Sequence, residues 1–331
     1  MRLKFAGSYY FLIALAATAS AQTNGVFHFE HTQDTKSAQE MATAIRTVLD
    51  IPQAKVSDDN PPSTLTLGGT ADQIKAAAWL FTQLDQAEPV GSMREYQLPA
   101  GTDNIARVYY VTNAQTIQQF QEVATAIRTI ADIRRLYTYN LQKAIVARGS
   151  SDQMSFFDWL LPLMDRPVDA KPQHSISGQY TTPDPLDGPT SRIFYVGYAP
   201  SVKDFQSLAT GLRTIAQFRR VYTYNAAQAI ALRGTESELS MAEWLFNVLD
   251  QPGNEPASGL FRAAGADDVV QVFDLSQAKA GQDLPNVVSQ IRSSTGNQYA
   301  FSFGSRSIMV LRGTAAQMAA AEHLVGQLSQ P

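Results

Sequence analysis

Side chains that commonly carry chemistry are few and scattered in this sequence. It has four histidines, His28, His31, His174 and His323, and no cysteine. Disulfides, thiolate metal sites and cysteine nucleophiles are therefore excluded. His28 and Glu30 share one face of an extended stretch, with His31 opposite; His174 falls in a Pro- and Gly-rich segment. Nothing here converges as a metal site requires. Asp85, Asp165 and Asp250 recur at one place in a repeating pattern and invite a reading as catalytic acids. Each closes a helical stretch, and Pro follows two residues after Asp165 and Asp250, so they read as helix-end punctuation. No nucleophile elbow, H-E-x-x-H pair or phosphate loop is present. No catalytic residue, metal or cofactor is expected. One polar and aromatic constellation stands out: RRLYTYN at 134–140 and RRVYTYN at 219–225. Strand alternation puts Arg135, Tyr137 and Tyr139 on one face, and Arg220, Tyr222 and Tyr224 on the equivalent face. Arg and Tyr are enriched at protein interfaces, so these six form a candidate partner-docking face. The competing reading is that duplication copied them and the tyrosines only pack the sheet.

The elements that carry these residues repeat. Residues 108–167 and 193–252 align without a gap, with 26 of 60 positions identical, and two weaker copies flank them. Arg46, Arg128, Arg213 and Arg292 close a first helical segment, and Gly69, Gly149, Gly234 and Gly313 follow 23, 21, 21 and 21 residues later. Each copy reads as strand, helix, strand, strand, helix. After each Gly comes a capping box: Thr70 with Gln73, Ser150 with Gln153, Thr235 with Glu238, Thr314 with Gln317. Ten residues after the Gly stand Trp79, Trp159, Trp244 and His323. The tryptophans lie on apolar helical stripes and are assigned to the core that joins helix to sheet.

The expected fold is α+β: four tandem βαββα modules, each a three-stranded sheet with both helices on one face. Module 1 spans 22–87, module 2 106–167, module 3 192–252 and module 4 268–331. Residues 88–105 form a linker in which Arg94–Leu98 can add a strand. Residues 168–191, rich in Pro, Gly and Ser, form a flexible linker, and 253–267 a shorter one. Modules 1 and 2 are therefore expected to be coupled more closely than 2 and 3. A module of about 60 residues buries only about 60% of its unfolded surface and is marginal alone, so packing between modules or onto a partner is expected.

Residues 1–21 read as a secretory signal peptide: a basic start at Arg2 and Lys4, an apolar run from Phe11 to Ala17, and Ala19-Ser20-Ala21 before the cut at Gln22. No later segment has 18 uninterrupted apolar residues, so no transmembrane segment is expected after cleavage. Removing two of the 26 basic residues, against 30 acids, leaves 24 − 30 = −6. That balance, and export, argue against nucleic acid as a partner.

The closing stretches carry a resemblance. ALRGTESELSMAEWLFNVLDQP at 231–252 and VARGSSDQMSFFDWLLPLMDRP at 146–167 resemble the periplasmic N-domains of bacterial secretins, the NolW-like modules. The copies at 66–87 and 310–331 are similar but lack the Pro and the Asp, respectively. The resemblance implies a KH-like βαββα fold that stacks and binds partner proteins, without catalytic or cofactor residues. Secretins continue into a membrane β-barrel domain, for which these 331 residues hold no counterpart. The KH nucleic-acid loop, G-x-x-G, is absent from every module. The expected function is an exported, non-enzymatic binding or scaffold protein of envelope assembly, secretion or pilus machinery, periplasmic or extracellular, with envelope or secretion-system proteins or itself as partner. The alternative is a secreted adhesive or carbohydrate- or peptidoglycan-binding protein with its aromatic strands as platforms. An enzyme would need a deep pocket between modules lined by convergent acids.

Overall fold

The computed structural model describes residues 23–88, 91, 93–167, 173–183, 188–252, 258–262, 268–276 and 284–328. The signal-peptide reading of 1–21 lies outside them. The described chain is α+β and is built of four βαββα units. Module 1 contains β1 (Thr23–His28), α1 (Thr35–Leu49), β2 (Gln53–Val56), β3 (Thr64–Gly69) and α2 (Ala71–Leu84). β4 (Arg94–Gln97) lies in the next linker. Module 2 is β5 (Ile105–Tyr110), α3 (Ile117–Ala131), β6 (Arg135–Tyr139), β7 (Ala144–Gly149) and α4 (Ser151–Met164). β8 (Ser175–Ile176) and β9 (Tyr180–Thr181) precede module 3, which is β10 (Thr190–Tyr195), α5 (Val202–Ala216), β11 (Arg220–Tyr224), β12 (Ala229–Gly234) and α6 (Glu236–Leu249). β13 (Gly259–Arg262) precedes module 4: β14 (Asp268–Asp274), α7 (Leu284–Thr295), β15 (Tyr299–Phe303), β16 (Ile308–Thr314) and α8 (Ala315–Leu328).

In every module the third strand is central, paired antiparallel with the first and second. Among the described residues only module 1 keeps the expected three strands. In modules 2 to 4 a linker strand adds to the outer edge of the first strand: β4 on β5, β8 and β9 on β10, and β13 on β14. The segment expected to be a flexible linker at 168–191 is thus docked through its described residues. His174 stacks on the Phe246 ring, 4.5 Å between centroids, and contacts Asp250 through Nδ1 at 2.7 Å. Gly188, at φ +89°, lies so close to the Gly234 backbone that a Cβ would clash with it.

The second helices begin where the hydroxyl-x-x-Gln/Glu pattern places them. Thr70, Ser150 and Thr235 each accept from the backbone three residues on, while the Gln or Glu returns to the cap N–H; Thr314 and Gln317 do the same. Three of these side chains reach further. Gln73, Gln153 and Gln317 donate to carbonyls at the C-terminal end of the first helix, at Asp50, Asp132 and Gly296, tying the two helices of a module together.

The aspartates at the helix ends have a definite task. Asp85 accepts from the backbone N–H of Glu30, His31 and Thr32 and from the Thr32 hydroxyl. Asp165 does so for Thr112 and Asn113, and Asp250 for Gly197 and Tyr198. Each carboxylate therefore fixes the loop between its module's first strand and first helix, through charge-assisted bonds.

Candidate functional site: a helix-on-sheet junction used three times

The sheets of modules 2 to 4 each have two apolar faces. One packs on the module's own helices. The other is covered by the first helix of the preceding module: α1 on β6, α3 on β11, α5 on β15. The hydrophobic clusters accordingly cross module boundaries. Module 1's helices share a core with Ala106, Val108, Tyr110, Tyr139, Ala144 and Val146 of module 2. Module 2's share one with Ile193, Tyr195, Tyr224, Ala229 and Ala231 of module 3, and module 3's with Val270, Val272, Phe303, Ile308 and Val310 of module 4. All three junctions are built alike, so the expected looser coupling of modules 2 and 3 is not what the structure has.

This places the six candidate docking residues. Tyr139 and Tyr224 are fully buried at the junctions, Tyr137 and Tyr222 half-buried beside them. Arg135 pairs with Asp50 at 2.9 Å, and Arg220 with Asp132 at 3.2 Å. Asp50 and Asp132 sit in left-handed conformation just past the ends of α1 and α3. The face expected to dock a partner is instead covered by the first helix of the preceding module of the same chain. In module 4 the equivalent residues are Tyr299, Phe301 and Phe303. The helix must come close: Ala44, Ala126 and Gly211 occupy one position in the three docked helices, all buried, and a Cβ on Gly211 would lie 3.0 Å from the Phe301 ring.

Several junction residues were not singled out in the sequence. Arg148, Arg233 and Arg312, which precede the repeated Gly, turn toward the preceding module. Arg148 contacts Asp50 at 3.2 Å; Arg233 and Arg312 donate to the carbonyls of Ile130 and Ile215, in the last turns of α3 and α5. Cations at helix C-termini are favoured by the free carbonyls there. Tyr110 and Tyr195 donate to the carbonyls of Gln83 and Leu163, in the last turns of the preceding second helices. Glu40 accepts from the backbone and side-chain amides of Asn140.

The tryptophans pack against the cores from their margins. Trp79, Trp159 and Trp244 are half-buried and do not centre their own modules. Each packs on an aromatic residue of the following linker strand: Trp79 on Tyr96 at 5.4 Å, Trp159 on Tyr180 at 5.4 Å, Trp244 on Phe261 at 5.5 Å. Those three aromatics occupy one register, opposite Ala106, Ser191 and Val270, which in turn pair with Arg148, Arg233 and Arg312. The junction therefore has an apolar centre, an arginine clamp and an aromatic latch.

The two ends of the stack differ from its interior. On module 1 the equivalent sheet face carries exposed Asn24, Val26, His28, Gln53, Lys55 and Thr66. On α7 of module 4, Gln290 stands where Ala44, Ala126 and Gly211 are buried, and Ser294 where Val48, Ile130 and Ile215 are; both are exposed, as is His323 at the tryptophan position. Polar outer faces are what terminal repeats of a solenoid require.

Two cavities of about 270 Å³ lie at the junctions. One, between modules 3 and 4, is lined by Tyr198, Pro200, Leu208, Phe303 and Arg306 among others. The other, between modules 2 and 3, is bordered by Asp103, Asp132, Asp152 and Arg233; Asp103 and Asp132 are held in ion pairs with Arg135 and Arg220. Among the described residues no three His, Asp or Glu side chains form a metal-binding group, and no helix is long and apolar enough to cross a membrane.

Burial pushes the hydroxyls of Tyr139 and Tyr224 up to about 12. A phenol whose folded value exceeds its unfolded value of about 10 favours the folded state while it stays neutral. That preference is present below pH about 10 and is lost as pH rises from there toward 12. Spectrophotometric titration combined with denaturant unfolding should show stability falling across that interval, and Tyr139→Phe/Tyr224→Phe should flatten the fall.

No protein-family model matches the chain, and no curated protein matches it significantly. Among solved structures it is similar to Aeromonas hydrophila ExeD, at 12% identity over 88% of this chain and 59% of that one, with a TM-score of 0.17. It is likewise similar to the type II secretion system secretin GspD of E. coli K12, at 12% identity over 88% and 58%, with a TM-score of 0.17. The chain thus spans less than two thirds of the length of either.

Proposed function

We propose that the chain is an exported, non-enzymatic scaffold of secretin N-domain-like modules, serving protein–protein interaction in envelope assembly, secretion or pilus machinery. The observation that supports this best is the junction itself. The same helix-on-sheet interface joins successive modules three times, so the architecture is one of module-to-module recognition, with the recognition surfaces of the interior satisfied within the chain. The result is a stiff array with two polar ends, suited to holding other envelope proteins at a fixed spacing. The adhesive or peptidoglycan-binding alternative relied on exposed aromatic strands as platforms; the tyrosines of β6 and β11 are instead engaged in junctions. The test is photo-crosslinking in living cells from exposed positions of each module, alongside co-sedimentation with purified peptidoglycan sacculi. The scaffold reading expects defined adducts with other envelope proteins and no sedimentation. Sedimentation with sacculi and no protein adducts would replace it with the alternative.

A further inference from the structure

The helices divide by charge. The first helices of the modules, α1, α3, α5 and α7, hold six basic residues and three acidic ones. The second helices, α2, α4, α6 and α8, hold one basic residue and seven acidic ones. The two sets lie toward opposite edges of the stack. First helices pack beside second strands and second helices beside first strands, with the third strand between.

The acids of the second-helix edge are engaged within their own modules. Arg107 pairs with Asp158, and Arg192 with Glu236 and Glu243. Glu238 closes a capping box, Glu322 accepts from Gln271, and Asp72 lies 3.9 Å from Lys75. The cations of the first-helix edge are placed differently. Arg46, Arg128, Arg213 and Arg292 occupy one position in the four modules, and all are exposed. Arg128 donates to Leu136 O; the other three form no ion pair or hydrogen bond among the described residues. An arginine in the last turn complements the free carbonyls there. That does not account for Lys36 and Lys203, exposed at the second positions of α1 and α5, where the helix dipole opposes a cation. The acids of this edge do not neutralise the row. Asp50 and Asp132 are held by Arg135 and Arg220, Glu40 by Asn140, Glu122 by Gln118 and Asp204 by Ser201.

We propose that the first-helix edge lies along an anionic lipid surface, with the arginine of each module set among phosphate headgroups. Charge complementarity fixes the sign of the partner, and the neighbouring side chains fix its kind. Thr43, Thr47, Gln118 and Thr210 stand beside the arginines on the outward flanks. A tight protein interface is centred on buried aromatic and aliphatic anchors instead. The exposed aliphatics of this edge, Ile117 and Val202, are single residues at the starts of α3 and α5, and Val202 adjoins Lys203. Such a basic and aliphatic pairing suits the headgroup boundary. The guanidinium fork matches phosphate oxygens, and lipids can move to meet charges whose spacing is set by the module repeat. A second copy of the chain fits less well, because the acids it would present are already engaged. The proposal deepens the scaffold reading by naming the surface on which the array lies. Its test uses purified protein and lipid, so its failure would leave the crosslinking result standing.

The probes are vesicles of phosphatidylcholine alone and of phosphatidylcholine with phosphatidylglycerol, co-sedimented with the full exported chain at low and high salt. Binding is expected only with phosphatidylglycerol, and is expected to fall as salt rises. Arg46→Gln, Arg213→Gln and Arg292→Gln should each weaken it by about fivefold, and the three together by about a hundredfold. All three side chains are exposed, so the variants should melt as the unaltered chain does. Lys75→Gln, on the second-helix edge, should leave binding unchanged. Equal binding to both vesicles, no binding to either, or full binding by the triple variant would overturn the proposal. A loss confined to one arginine would also overturn it, since contact along the edge uses every module. So would low-salt self-association of the lipid-free chain that the triple variant abolishes, because it would assign the row to a second copy.

Discussion

Tyr139→Ala is expected to lower the stability of the module 1–module 2 pair by about 3–5 kcal/mol, the range for truncating a large buried aromatic side chain. Tyr139 is fully buried, among side chains from both modules, and its hydroxyl lies 3.2 Å from that of Thr32, which donates to Asp85. Truncation opens a cavity in the junction and disturbs the hydrogen-bonded loop behind it. Urea unfolding of the full chain should show the loss as a lowered midpoint. Hydrogen exchange should show α1 and β6 losing protection together, because one covers the other. Tyr139→Phe should cost only about 1 kcal/mol, for the single hydrogen bond. Tyr224 is the internal control. It is equally buried, but its hydroxyl has no hydrogen-bond partner among the described residues, so Tyr224→Phe should change stability by less than about 0.5 kcal/mol. A Tyr139→Ala variant as stable as the unaltered chain would mean that the face is not covered by α1.

Arg233→Met is expected to cost about 3 kcal/mol at the second junction, where several buried acceptors lose a charged donor. The Arg233 side chain joins three parts of the chain: it donates to Ile130 O at the end of α3, to Gly188 O in the linker and to Thr182 Oγ1. It also lies over the Phe156 ring of module 2, 5.8 Å from its centroid. The fork geometry is specific to guanidinium, so Arg233→Lys should recover little of the loss. Limited proteolysis offers a second readout. Cleavage within 173–183 should accelerate in both variants, because the linker loses the side chain that holds its Thr182 and Gly188 ends. Arg312→Met should leave that cleavage unchanged, since Arg312 reaches Ile215 at the next junction.

Much of the fold was legible because its signals are local. The capping boxes need only Thr or Ser followed three residues later by Gln or Glu, and the helical stripes need only their spacing. The tandem copies then multiplied each weak signal. What escaped depends on contacts between segments far apart in the chain. β8 and β9 are two residues each, in a stretch rich in Pro, Gly and Ser; only the edge of β10 makes them strands. Trp79 lies on a stripe with core residues, so the stripe alone assigned it inward, while its aromatic neighbour Tyr96 comes from the next linker. The docking face was visible as residues and invisible as a junction. One signal pointed to it. Module 1 lacks the Arg-Arg and the tyrosines, having Gln53 and Lys55, and it also has Gly68 where Arg148, Arg233 and Arg312 stand. Losing both sets together in the module that has no predecessor here suggests that both contact a preceding module.

Through these junctions the modules are expected to form one stiff array. The absence of cysteine makes it directly measurable, because two introduced cysteines are the only thiols. Ser155 on α4 and Ser240 on α6 are exposed, equivalent positions in modules 2 and 3, on either side of the Pro-, Gly- and Ser-rich linker. With both changed to cysteine and spin-labelled, double electron–electron resonance reads the distribution of distances between the two modules. A docked junction predicts one narrow distance, broadened by Arg233→Met. A broad distribution in the otherwise unaltered chain, of the kind a flexible tether gives, would mean that modules 2 and 3 are not docked on each other.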